Sequence, residues 1–199
     1  MTKAIAEKVA VDTNFLVALL DDKLNADDRA RLDDFIAKIE KGKGKLIVPM
    51  PVLAEFLAGA DHAGLEHADA LERRAYVEIA PFDRKSATEC ALLESAAFGR
   101  AAVAKEKGED ASAAKKDSKT ASRQKVKVDR QIVAIAKAFG AKTIISNDGD
   151  VRTHALRAGI SHLYLRDLPL PPSAAQGKLD LAPSATLEKG ARPPDQTPA

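Results

Sequence analysis

The sequence predicts an α/β protein, a three-layer α/β/α sandwich with a mostly parallel central sheet. Short, continuous apolar segments alternate with helical patterns along most of the chain. Strands that are apolar at every residue are typical of a sheet covered on both faces, and alternation with helices is typical of parallel pairing. With 199 residues and 45% hydrophobic content, the chain is also long enough for one domain with a sizeable core.

The first half of the chain begins with a buried strand at 8–11 and a helix at 15–20, with a polar break between them. The next helix, from 27 to 41, has the clearest pattern, because its apolar residues recur at i, i+3, i+4 and i+7 and Gly42 ends it. The other predicted elements of this half are a strand at 46–49, helices at 51–59 and 63–75, and a strand at 76–82.

The second half continues with a helix from 83 to about 98, after which the composition changes. The following segment is rich in Ala, Lys and Ser, which predicts either an exposed helical extension or a disordered insert. Order is predicted to resume with a helix at 128–141, a strand at 142–146, a helix at 148–159 and a strand at 161–165.

The predicted domain organisation follows from these composition changes. Residues 1–170 form one domain, which carries the basic Ala/Lys/Ser-rich extension or insert at about 100–125. Seven of the ten prolines lie at or after Pro169, so residues 171–199 are predicted to be a disordered tail.

Composition also excludes several classes of protein. No apolar run approaches the roughly 20 residues needed to span a bilayer, and we expect no secretory leader, so a cytoplasmic location is the default. A single cysteine excludes an internal disulfide and a cysteine-rich zinc site. Residues 100–127 carry nine Lys or Arg against four Asp or Glu, which fits either a polyanionic partner or a solvated Lys/Ala helix.

Four acidic residues are the candidate functional residues. Asp12 and Asp148 follow predicted strands, and ligands of parallel sheets bind beyond the carboxyl ends of strands. Glu55 and Asp129 lie on predicted helices, where their spacing to apolar residues places them on the inner face. Helix capping is an alternative for Asp12, Asp129 and Asp148 taken singly. It does not explain an inward-facing Glu55 or four acids directed to one end of a sheet.

A cluster of this kind predicts a bound cation. Carboxylates brought together repel one another, so one or more takes up a proton unless a cation lies among them. Mg²⁺ or Mn²⁺ suits oxygen ligands, and either ion can activate water for displacement at phosphorus.

The sequence resembles a PIN domain, and more closely a VapC-type toxin ribonuclease. The resemblance rests on VDTNFLVALL, PVLAEFLAG, VDRQIVAIAKAFGAKTIISNDGDV and the spacing between them, over about residues 8–166. The family pattern is an Asp-Thr-Asn/Ser element after the first strand, a Glu in an apolar helix, an Asp that opens a helix ending in Gly-Ala, and a strand that closes in Thr/Ser-x-Asp. All four are present in order, although the segment before Asp129 and the tail are longer than compact toxins carry.

The resemblance implies a Mg²⁺- or Mn²⁺-dependent endoribonuclease that cleaves single-stranded RNA and forms a toxin–antitoxin pair, with a homodimer as the expected assembly. Carried over by position, the catalytic and metal-binding residues are Asp12, Glu55, Asp129 and Asp148. Asn14 and Ser146 would support the carboxylates, and Asp150 is either an auxiliary residue or part of the first turn of the next helix, which we favour. The candidate RNA-binding residues are Arg123, Lys125 and Lys127.

Two alternatives remain open at this point. One is a non-catalytic PIN-like RNA-binding or regulatory module, which is disfavoured because none of the acids is missing. The other is an aspartyl-phosphate phosphatase or receiver domain, which would require a second acid two residues after Asp12, where Asn14 stands.

Overall fold

The computed structural model describes residues 7–106 and 123–176. Over these residues the chain forms five strands, eight α-helices and one short 3-10 helix. In chain order these are β1 (Lys8–Val11), α1 (Thr13–Leu20), α2 (Ala26–Lys41), β2 (Lys45–Pro49), α3 (Met50–Gly59), α4 (Asp61–Glu72), β3 (Val77–Ala80), α5 (Arg84–Glu106), α6 (Arg123–Ala138), β4 (Thr143–Ile145), α7 (Gly149–Arg157), β5 (Ser161–Leu163), the 3-10 helix (Leu165–Asp167) and α8 (Pro172–Gln176).

The strands form one sheet in the order β3-β2-β1-β4-β5, and every pairing among the described strands is parallel. Because crossovers between parallel strands are right-handed, the helices before β3 and those after it cover opposite faces. Most of the packing agrees, since α3 contacts α1 and α4 and α6 contacts α5 and α7, while α3 and α6 also contact each other. The predicted α/β/α sandwich is therefore confirmed.

The core lies on both faces of the sheet. Ile47 on β2 and Ile144 on β4 are fully buried, as are Leu16 on α1 and Ile132 on α6. The parallel pairing of β1 with β4, in which Val11 lies opposite Ile145, places the carboxyl ends of these two strands next to each other. The strand order reverses between these two strands, and in sheets of this type that reversal opens a crevice at the carboxyl edge.

The segments on either side of the predicted insert are helical over more residues than the sequence predicted. Helix α5 runs to Glu106 rather than ending near residue 98, and α6 begins at Arg123 rather than at the predicted residue 128. Ala, Lys and Gln have high helix propensity, and α5 and α6 pack against each other, so both helices are longer than predicted. Residues 107–122, the centre of the predicted insert, lie outside the described residues, as does the predicted tail beyond residue 176.

Within the part of the chain that the structure describes, no helix is both long and apolar enough to cross a membrane.

Gly140 is required by the backbone at the end of α6. Its φ is +81°, a left-handed conformation, and a Cβ added there would meet nothing within 4 Å. We expect Gly140→Ala to lower the free energy of unfolding by about 1 kcal/mol, since the cost arises from the backbone conformation alone. Urea denaturation measures it. Gly59→Ala is the matched control, because Gly59 also has open space but lies in a helix, so alanine there should be neutral or stabilising.

Candidate active site

A pocket of about 530 Å³ lies at the carboxyl edge of the sheet, where the strand order reverses. The four acids proposed from the sequence come from four separate segments and all line this pocket: Asp12, Glu55, Asp129 and Asp148. Apolar side chains complete its wall, which reduces the access of water to the carboxylates: Pro51, Val128 and Ile132.

Asp12 follows β1 directly and is the N-cap of α1. Its Oδ1 accepts a hydrogen bond of 2.8 Å from the Thr13 amide, which satisfies the helix end. Its Oδ2 accepts from Ser146 Oγ at 2.7 Å and from Asn14 Nδ2 at 3.4 Å. One carboxylate oxygen therefore caps the helix while the other is held by side chains, so capping and a role in the pocket are compatible.

Asp148 occupies the equivalent position after β4 and is the N-cap of α7. Its Oδ1 accepts from the Asp150 amide at 2.7 Å, and its own amide donates to Ser146 Oγ at 2.9 Å. The Ser146 hydroxyl thus joins Asp12 to the backbone of Asp148. Asp150 lies in the first turn of α7, as we favoured, although its carboxylate also reaches toward the pocket.

Removal of the Ser146 hydroxyl has a predictable cost. Ser146 is buried, so in Ser146→Ala the Asp148 amide loses its acceptor and Asp12 loses a donor. We expect the free energy of unfolding to fall by about 1–3 kcal/mol, as measured by urea denaturation. Ser161→Ala makes the same change at an exposed site and should shift it by less than about 0.5 kcal/mol. Equal effects of the two substitutions would contradict this assignment.

Glu55 differs from its predicted environment. The helical spacing predicted an inner face away from solvent, but Glu55 is exposed, because α3 lies beside the open edge of the sheet. Its carboxylate is held by the Thr13 hydroxyl, which donates to Oε2 at 2.6 Å. The sequence pattern did not single out Thr13. The sequence signal for a role of Thr13 is its position inside the Asp-Thr-Asn element, directly after an acid that follows a strand.

Asp129 lies in the second turn of α6, so the prediction that it opens a helix is wrong. An N-cap role is therefore excluded for this residue. It is only 5% exposed, and among the described residues its Oδ2 has no hydrogen-bond partner. A buried carboxylate oxygen without a partner is costly unless a proton or a cation satisfies it.

The three basic residues proposed for RNA binding lie on the first turns of α6. Lys125 lines the pocket, and its Nζ lies 2.8 Å from Asp148 Oδ2 and 3.5 Å from Asp150 Oδ2. The sequence predicted a lysine that holds a nucleic-acid backbone, whereas this amino group is paired with carboxylates. Lys127 is exposed and does not line the pocket, and the side chain of Arg123 lies outside what the structure describes.

The protonation of the pocket follows from burial and like charges. Burial, together with the charges of Asp148, Asp150 and Asp12, raises the pKa of Asp129 to about 7, although the charge of Lys125 opposes this. Burial also raises the pKa of Asp12, although the hydrogen bonds from Ser146 and Thr13 oppose this. Burial alone would raise the pKa of Asp148 too, but the hydrogen bonds from Lys125 and the Asp150 amide outweigh it and lower that pKa.

The donor set fits a hard divalent cation. The pocket offers carboxylate oxygens, and one of them, Asp129 Oδ2, is buried and has no partner among the described residues. The raised pKa values of Asp12 and Asp129 mean that a nearby positive charge would favour their ionised forms. In residues 7–106 and 123–176, no set of three His, Cys, Asp or Glu side chains is spaced to enclose an ion. Mg²⁺ does not need such a set, because it is usually held by one or two carboxylates and retains several waters.

Comparison with known proteins gives two findings. The sequence profile of the family described as PIN domain matches residues 9–156. Among solved structures, a chain of VapBC2 from Rickettsia felis, crystallised bound to a DNA fragment from their promoter, is similar in fold. The TM-score is 0.50 at 16% sequence identity, and the match covers 79% of this chain and 98% of the other. No curated protein matches the chain.

Proposed function

This chain belongs to the PIN domain family, and from that premise we propose that it is a divalent-metal-dependent endoribonuclease and the toxin of a toxin–antitoxin pair. One observation carries the proposal. Four carboxylates from four separate segments line one pocket at the carboxyl edge of the sheet, and the buried Asp129 has an oxygen without a partner among the described residues. A purely structural role would leave such a cluster with a large electrostatic cost.

Asp12 and Asp129 would hold the ion, Glu55 would bind it directly or through water, and Asp148 would complete the acidic pocket beside them. When bound, the ion supplies an activated water and neutralises the charge that develops on the phosphate and the leaving oxygen. The chain's own contribution is to fix the carboxylates in position. Ser146 and Asn14 hold one oxygen of Asp12, and Thr13 holds Glu55. Such supporting hydrogen bonds are worth about 10–100-fold in metal affinity or activity in metal sites generally.

Single-stranded RNA is the proposed substrate. The pocket is open to solvent on the Glu55 side, and the segment from 100 to 127 carries an excess of basic residues. Lys127, and Arg123 as an expectation from the sequence, would hold the phosphate backbone. The chain has no Trp, two Tyr and six Phe, so we expect a grip that is electrostatic and sensitive to salt rather than one based on base stacking.

The test is cleavage of a labelled single-stranded RNA by the purified chain with Mg²⁺ or Mn²⁺. We expect internal cleavage that stops on addition of EDTA and is lost in Asp12→Asn, which keeps the shape of the side chain but not its charge. RNA that is bound and left intact by the unsubstituted chain under all these conditions would instead favour a non-catalytic PIN-like module.

The proposed protein partner is an antitoxin. The VapBC2 neighbour supports this, as does an apolar groove of about 590 Å³ that shares Thr13 and Glu55 with the acidic pocket. Val17 lies in this groove and is 52% exposed. We propose that a segment of the antitoxin covers the groove, that the chain forms a homodimer, and that it acts in the cytoplasm. Co-purification with the product of an adjacent small gene tests the first of these, and light scattering tests the second.

A further inference from the structure

The acidic pocket has two parts that differ in charge balance. On one side, the hydrogen-bond donors to Asp12 and Glu55 among the described residues are all neutral: the hydroxyls of Ser146 and Thr13, the Thr13 amide and the amide of Asn14. On the other side, Asp148 and Asp150 face the amino group of Lys125. Asp129 contributes to the electrostatics of both sides, because the charges of Asp148, Lys125, Asp150 and Asp12 all act on its carboxyl group.

Lys125 therefore already supplies a cation to one of these parts. Its Nζ lies 2.8 Å from Asp148 Oδ2, a charge-assisted hydrogen bond of good length. The second carboxylate, that of Asp150, is 3.5 Å away. A divalent ion at the same place would compete with this ammonium for the same oxygens. An ion alongside it would be repelled at a separation of a few ångström.

In the other part, no cation among the described residues forms an ion pair with Asp12 or Asp129, although the charge of Lys125 acts on Asp129 from a distance. Asp12 Oδ2 is oriented by Ser146, and the buried Asp129 Oδ2 has no partner among the described residues. Two carboxylates completed by water and substrate oxygens are a usual ligand set for Mg²⁺. Enzymes that use two ions need further ligands for the second ion, and in this pocket the further carboxylates, those of Asp148 and Asp150, face Lys125.

We propose that this site takes a single divalent ion, on the side of Asp12 and Asp129, and that the Lys125 ammonium stands in for a second one beside Asp148 and Asp150. The inference rests on the proposed nuclease function and specifies its metal stoichiometry. In the complex with RNA, Lys125 remains paired with Asp148, and its positive charge lies beside the phosphate that is cleaved. It thereby supplies positive charge where a second ion would otherwise be needed.

The experiment counts bound Mn²⁺ by electron paramagnetic resonance in the purified full chain at pH 8. We expect about one ion in the unsubstituted chain and about two in Lys125→Met, which keeps the aliphatic stem and removes the charge. Lys125→Arg keeps the charge and should stay at one. Lys127→Met, the same change on the same helix at a residue that does not line the pocket, should also stay at one.

Two ions in the unsubstituted chain, or one ion in a folded Lys125→Met, overturns the inference. If Lys125→Met fails to fold, Lys125→Gln also removes the charge and decides the inference: two bound ions support it and one overturns it. RNA cleavage measured in the same samples separates this inference from the proposed function. If RNA is cleaved and the unsubstituted chain binds two ions, only the single-ion assignment is overturned. If the chain binds one ion and RNA is not cleaved, only the proposed nuclease function is overturned. No bound ion at millimolar Mn²⁺ overturns both.

Discussion

Asp129→Asn is expected to reduce RNA cleavage by on the order of 10²–10³-fold while making the metal-free protein more stable at pH 8. Both effects have one cause. Asp129 is buried, its Oδ2 has no partner among the described residues, and the surrounding carboxylates oppose its ionisation. The negative charge that suits a metal ligand therefore destabilises the fold when no cation is bound. Asparagine has nearly the same shape and removes that charge, together with the ligand.

The direction of the pH dependence follows from the pKa of Asp129. That pKa is about 7 in the folded chain, against an ordinary value of 3.8. Between these values the folded state binds more protons than the unfolded state, so stability falls as pH rises. The stabilising contribution of the protonated group is fully present below about pH 4 and is lost as pH rises through about 7. One pK unit corresponds to about 1.4 kcal/mol, and relaxation around the charge reduces the total, so we expect a difference of about 1–3 kcal/mol.

Urea denaturation in EDTA at pH 5 and pH 8 measures this effect. The free energy of unfolding of the unsubstituted chain should fall more between the two pH values than that of Asp129→Asn. Both proteins contain the other titrating groups, so the contributions of these groups to the pH dependence cancel when the two proteins are compared. Asp69→Asn, at an exposed position on α4, is the control and should behave like the unsubstituted chain. An identical pH dependence in the unsubstituted chain and Asp129→Asn would contradict the assignment.

The parts of the fold and site that the sequence predicted correctly are those set by local pattern. Continuous apolar segments identified all five strands, and their parallel pairing followed from the helices between them. Asp12 and Asp148 could be placed at one edge of the sheet because each follows a strand, and carboxyl ends of parallel strands share an edge. These conclusions need only the order of elements along the chain.

The parts that the sequence did not predict depend on contacts between distant segments. Glu55 has apolar neighbours at helical spacing, but its exposure depends on where α3 lies relative to the open edge of the sheet. The pairing of Lys125 with Asp148 joins residues 23 apart, and a lysine in a basic segment gave no indication of an acidic partner. Asp129 was placed on the correct face of its helix, but the start of that helix depends on packing against α5.

The affinity for Mn²⁺ is the second property for which we expect a large effect. Only the ionised carboxylate is a ligand, so metal binding must release the proton that Asp129 holds below pH 7. The association constant should therefore rise by about tenfold per pH unit up to about pH 7 and level off above it. Titration calorimetry at pH 5.5, 6.5 and 8 measures this, and buffers of different ionisation enthalpy count the protons released. We expect about one proton at pH 5.5 and few at pH 8.

The pH dependence of the Mn²⁺ affinity shows which carboxylate binds the ion, as well as that an ion is bound. Asp148 is held in its charged form by Lys125, so a site built on Asp148 alone would bind Mn²⁺ without releasing a proton in this range. Asp129→Asn should bind more weakly and lose the tenfold rise, while Asp150→Asn should keep it. If the affinity of the unsubstituted chain is the same at pH 6.5 and pH 8, Asp129 is not a ligand. Its burial would then be a property of the fold alone, stabilised by the neutral acid. A proton released on binding would instead show that the fold keeps Asp129 neutral until a metal ion replaces the proton.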